Sequence, residues 1–273
     1  MSKINIYLIN TTDFTNKEYK SLESFLEKVN GPLKFITDKT VNRKRHFDET
    51  INTLSWEQLF SDCNEFRKSA EKVTADDFVV LLTGKNNHGD YFSLFDPEKN
   101  IFVHTAGWDS FTSAAKIYPI AYEIISNILQ SLMKMKLKLE QPLTMTSNWI
   151  HQDPIGFIND FCGDKKEIIL KLRTADICQN CLKKMKKEGV SDELIDQSLQ
   201  ILELVRKESQ FSQGFTKNRT PEKIKVNKYG DIFIGNTNIS LSAVEKTLYR
   251  IYINHPQGIE NKNLHKYKDE LLK

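Results

Sequence analysis

Asp76-Asp77-Phe78-Val79-Val80-Leu81-Leu82-Thr83-Gly84 is the stretch that decides the fold class. Phe78 to Leu82 is entirely apolar and lies between two acidic residues and a Thr-Gly turn signal. A short apolar run with such boundaries predicts the central strand of a sheet. Upstream, residues 3–10 alternate with Ile4, Ile6 and Leu8 on one face, which predicts a second strand. Residues 33–36, 91–95 and 101–105 predict three more, the last two joined by the turn Asp96-Pro97-Glu98-Lys99-Asn100.

Helices are announced by their start signals. Thr15-Asn16-Lys17-Glu18 and Ser55-Trp56-Glu57-Gln58 are capping boxes, in which the first side chain and the fourth each satisfy a free backbone amide. The first helix places Tyr19, Leu22, Leu26 and Val29 on one face. The second recurs at Trp56, Leu59, Cys63, Phe66 and Ala70, so Cys63 reads as a small core residue. Pro119 suits the first turn of a helix running to about 136. Beyond Pro142 the chain reads as helical, with starts at Asp164, Cys178 and Ser191. After a polar stretch at 210–220, residues 224–226 and 232–234 flank Tyr229-Gly230-Asp231 as a hairpin, followed by the capping box Ser242-Ala243-Val244-Glu245. The expected class is α+β. An N-terminal α/β domain with a central sheet covers 1–145, a helical Cys/His zinc-binding region 146–210, and a small C-terminal hairpin-plus-helices unit 222–273.

A chain of 273 residues can bury a substantial core. Its longest apolar runs are interrupted by Lys or Asn, and its first residues lack the apolar centre of a signal peptide, so a cytoplasmic protein with no membrane association is expected. Thiols stay reduced in that compartment, which favours metal ligation over disulfides. The net charge of +3 is too small to imply nucleic acid by itself. Two basic runs, Lys183 to Lys187 and Lys217 to Lys228, read as solvated surface.

Against that background the cysteines are informative. His151, Cys162, Cys178 and Cys181 follow the spacing His-x₁₀-Cys-x₁₅-Cys-x₂-Cys. A Cys-x-x-Cys pair puts two thiolates within reach of one tetrahedral ion, and zinc favours sulfur and nitrogen ligands. At the start of a helix, backbone amides and the helix dipole favour thiolate further. Zinc is therefore the expected metal. Four protein ligands would close the site and leave no place for a catalytic water. The alternatives are buried structural cysteines beside a surface histidine, or a redox pair, for which no thioredoxin-like strand precedes.

Two family resemblances follow from particular residues. Phe78 to Thr83, the helix after Pro119, Ile158-Asn159-Asp160-Phe161-Cys162 and Cys178-Gln179-Asn180-Cys181 resemble the order of elements in archaemetzincins, zinc metalloproteases with a cysteine-bound second zinc. The catalytic helix of that family carries His-Glu-x-x-His. The nearest counterpart here is Tyr122-Glu123-Ile124-Ile125-Ser126, which keeps only the glutamate. The resemblance thus implies a scaffold without the peptidase chemistry, with Glu123 an exposed helix carboxylate. Residues 232–242, with Glu245, Leu248 and His255-Pro256-Gln257-Gly258, resemble winged-helix domains of response-regulator type. The sequence ends at Lys273, where the DNA-reading helix and wing would be needed.

The functional expectation is a non-catalytic, zinc-stabilised cytoplasmic protein acting in regulation or through a protein partner. One alternative is a nucleic-acid-binding regulator that uses the C-terminal unit and the cations of 217–228. A further alternative is a metal-dependent, peptidase-like hydrolase in which Glu123, His104 and His151 converge on an open metal site.

Overall fold

The computed structural model describes residues 3–11, 13–37, 53–135, 149–162, 164–211, 224–227, 231–234, 237–239, 241–255 and 257–268. They fall into two units, 1–215 and 216–273. The elements of the first, in chain order, are β1 (Ile4–Asn10), α1 (Asn16–Leu26), β2 (Leu33–Thr37), β3 (Thr53–Leu54), α2 (Trp56–Ser69), β4 (Phe78–Thr83), β5 (Asn86–Asn87), β6 (Ser93–Phe95), β7 (Asn100–His104), α3 (Ile117–Leu132), α4 (Ile168–Thr174), α5 (Gln179–Lys187) and α6 (Asp192–Phe211).

The strand at 78–83 is the middle of a five-stranded sheet ordered β2-β1-β4-β7-β6. Its pairings are parallel except for the antiparallel edge strand β6. Alternation along β4 explains why the run is apolar throughout. Phe78, Val80 and Leu82 join the core that also takes in α1, α3 and the later helices, while Val79 and Leu81 pack with Leu59, Cys63 and Phe66 of α2. Both faces are covered, which is why Phe78 to Leu82 are apolar without a break.

The sheet's helical cover extends into α4, α5 and α6, whose Leu172, Met185, Ile201 and Leu202 are buried in the same cluster as α3. Gln197 of α6 ties this layer to the sheet. Its Nε2 donates to the carbonyls of Val29 and Leu33, and its Oε1 accepts from the Leu33 amide at 2.7 Å. The helix starts expected at Thr15, Ser55 and Asp164 each form reciprocal capping boxes. The α3 helix begins at Ile117 and ends at Leu132, where Lys134 takes a left-handed conformation.

In the second unit, β8 (Ile224–Val226), β9 (Ile232–Ile234) and β10 (Thr237–Ile239) form an antiparallel sheet with β9 central. Residues 228–230 of the expected turn lie outside the described residues. Ser242 and Glu245 form the capping box of α7 (Ala243–Asn254), and Ile232 and Ile251 are buried.

Candidate metal centre

The segment that carries His151 doubles back on itself. The His151 amide donates to the Asn159 carbonyl at 3.0 Å, and the Phe161 amide donates to the His151 carbonyl at 2.9 Å. Asp160 holds the bend together. Its Oδ2 accepts from the amides of Ile155, Gly156 and Phe157 at 2.7, 2.6 and 2.9 Å. Gly156 has φ +112°, and a Cβ there would meet Thr174 Oγ1 at 2.1 Å, so only glycine fits.

The other oxygen of Asp160 accepts from His151 Nδ1 at 2.7 Å. That bond fixes the imidazole with its proton on Nδ1, which leaves the Nε2 lone pair free to ligate. Nε2 points at two sulfurs, 3.5 Å from Cys178 Sγ and 3.6 Å from Cys181 Sγ. Cys178 is the N-cap of α5 and its Sγ accepts from the Cys181 amide at 3.4 Å. Asn159 Nδ2 donates to Cys181 Sγ at 3.0 Å. Burial pushes the Cys181 thiol up to about 12, with the neighbouring Cys178 adding and Asn159 opposing. A bound metal takes the place of that proton.

The ligand atoms of His151, Cys178 and Cys181 lie within 4.8 Å of one another, in a group able to hold zinc. A tetrahedral ion about 2.3 Å from sulfur and about 2.0 Å from nitrogen separates those atoms by roughly 3.5 Å. The two observed N···S distances match that figure.

Cys162, the remaining residue of the expected quartet, lies outside this group. It lines a cavity of about 290 Å³ between β6, α3 and α4, together with Ser93, Glu123, Asn127 and Lys171. Burial pushes its thiol up to about 11. None of the three grouped residues is among those lining the cavity. Glu123 is not the exposed carboxylate expected: it is buried, because α3 is covered along its length and turns this side chain under the edge strand. There it accepts a short hydrogen bond from Ser93. His104 is buried with its Nε2 against the Gly84 carbonyl at 3.2 Å, and Trp108 stacks on Phe92. Cys63 is a core residue as expected.

Two participants were not singled out from the sequence. Asp160 stands in the sequence only within the stretch Ile158 to Cys162, and its role rests on amides that the bend brings to its carboxylate. Lys171 follows Ile168 by three residues, on the helix face that also buries Leu172, and a lysine on an inward face is a visible anomaly.

No family model matches the chain, and no curated protein matches it. Two solved structures are similar, both archaemetzincins. That from Methanopyrus kandleri has 9% identity and a TM-score of 0.44, and the match covers 68% of this chain and 95% of that one. That from Archaeoglobus fulgidus, solved with malonate, has 9% identity and a TM-score of 0.40, covering 66% and 99%. Among the described residues, no helix is long and apolar enough to cross a membrane.

Proposed function

We propose that this chain is a zinc-fastened binding protein, in which His151, Cys178 and Cys181 supply three of the four zinc ligands, the metal fastens the fold, and the protein acts through what it binds. The observation that carries the reading is the aim of His151: Nδ1 is committed to Asp160 and Nε2 faces both sulfurs at ligand spacing. Zinc held there joins the 149–162 bend to the start of α5. The Asn159 bond to Cys181 and the Ile158 amide's bond to the Asp176 carbonyl tie the same two stretches.

A fastening role is supported by where the group lies. The cavity is lined by residues other than the three ligands, and α3 presents Glu123, Ser126 and Asn127 to it. Among the described residues, His151, Cys178 and Cys181 form the one group of His, Cys and acidic side chains placed to hold a metal.

Metal analysis of protein purified without chelator tests this directly. One zinc per chain is expected, lost in Cys178→Ser and Cys181→Ser with a marked fall in melting temperature, since structural zinc contributes to folding itself. In Cys162→Ser the zinc is expected to stay. Protein free of zinc, or a Cys178→Ser variant with unchanged metal content, would count against the proposal.

A further inference from the structure

The cavity between β6, α3 and α4 holds two buried groups of opposite charge that do not pair with each other. Lys171 is 8% exposed and Glu123 6% exposed. The Lys171 ammonium donates one hydrogen bond, to the Asp160 carbonyl at 3.2 Å, and stands 5.8 Å from the centre of the Tyr122 ring. An ammonium has three protons to place. The Glu123 carboxyl accepts from Ser93 through Oε2, while Asn127 Nδ2 donates to the same Ser93 oxygen at 2.6 Å and to the Glu123 carbonyl at 2.7 Å. Its Oε1 has no hydrogen-bond partner among the described residues, and the residue lines the cavity.

Charged groups withdrawn from water are retained when something satisfies them. Among the described residues each has one side-chain hydrogen bond on the protein and capacity left over, and both line the same cavity. The remaining walls include Phe92, Ile150 and Ile168, which are apolar. A volume of about 290 Å³ lies just below the lower bound of ligand pockets, roughly 300–1,000 Å³, and suits only a small ligand.

We infer that this cavity binds a small zwitterion of the size and chemistry of an apolar amino acid, its carboxylate on the Lys171 ammonium and its ammonium on the Glu123 carboxyl. The apolar side chain then lies against Phe92, Ile150 and Ile168. Asn127 and Ser93 act as positioning residues that hold the Glu123 carboxyl in place. Cys162, a neutral thiol at the wall, contributes shape. The inference does not rest on the zinc reading: none of the three proposed ligands lines the cavity, although Asp160 and Asn159, which bond to them, do.

Calorimetric titration of the full chain with L-leucine, N-acetyl-L-leucine and L-leucinamide tests the inference. L-leucine is expected to bind with Kd between about 1 μM and 1 mM. Each derivative lacks one charged pole and is expected to bind at least about tenfold more weakly. Lys171→Met, which keeps the length of the stem, is expected to weaken L-leucine by a similar factor. The derivative comparison uses the unaltered protein, so it decides the matter even if that variant does not fold. Absence of heat with L-leucine, L-phenylalanine and L-methionine alike would overturn the inference, as would equal binding of L-leucine and its two derivatives. Zinc content measured on the same sample reports separately on the metal.

Discussion

Asp160 is the residue on which most of the local architecture converges. One oxygen orients His151, the other collects three backbone amides, and its carbonyl receives Lys171. Partners that orient a ligating histidine typically contribute 10–100-fold in metal affinity. Asp160→Asn is therefore expected to weaken zinc by about that factor, read by competition with a chromophoric chelator. Unchanged affinity would show that the imidazole is oriented by something else. Glu123 makes a different prediction. Burial holds its carboxyl above the ordinary range, with Lys171 and Ser93 opposing. The folded state thus holds this proton more tightly than the unfolded chain. The stability linked to it is complete below the unfolded pKa, near 4.5, and is lost as pH rises through the folded value. In Glu123→Gln that loss disappears, so the variant's advantage in urea midpoint is expected to grow as pH rises above that point. A difference that stays constant with pH would argue against a buried titrating group. The cysteine pair and His151 were legible because ligand spacing is a local pattern. The inward turn of Glu123 was not, since burial of a charged side chain depends on elements brought together from distant parts of the chain, and Lys171 showed only as a lysine on an apolar helix face.

The helices were the most legible elements, because a capping box is written in four consecutive residues. Ser55 shows the value of one. Its amide donates to Gln58 Oε1 at 2.8 Å, and its hydroxyl accepts from the Gln58 amide at 3.2 Å. Ser55→Ala is expected to cost about 1 kcal/mol, which for a domain of this size lowers the melting temperature by roughly 2–4 °C. A shift within error would mean that α2 is held by its packing under β4 and β7 alone. Strand limits were less legible. The edge strand spans 93–95 rather than 91–95, because Asn87 captures Tyr91: its Nδ2 donates to the Tyr91 carbonyl at 2.9 Å and its Oδ1 accepts from the Tyr91 amide at 3.1 Å. A side chain four residues away thereby takes backbone groups that alternation alone assigns to a ladder.

On the scale of the whole chain, the two large apolar clusters draw their members among the described residues from 4–205. A fragment spanning 1–215 is accordingly expected to fold cooperatively by itself and to retain its zinc, checked by circular dichroism melting with metal analysis. An unfolded fragment would show that the second unit supplies stability the clusters do not reveal. The alternation of β4 between those clusters made the sheet readable from nine residues, whereas the placement of α4 to α6 over the same core rests on contacts such as Gln197 with Leu33, which no local pattern announces. Asp160 finally has a thermodynamic consequence. It touches His151 on one side and Lys171 on the other, so the metal centre and the cavity share a structural member. Whatever factor zinc imposes on the affinity of a cavity ligand, that ligand must impose on the affinity of zinc, because the coupling is a single free energy approached from two ends.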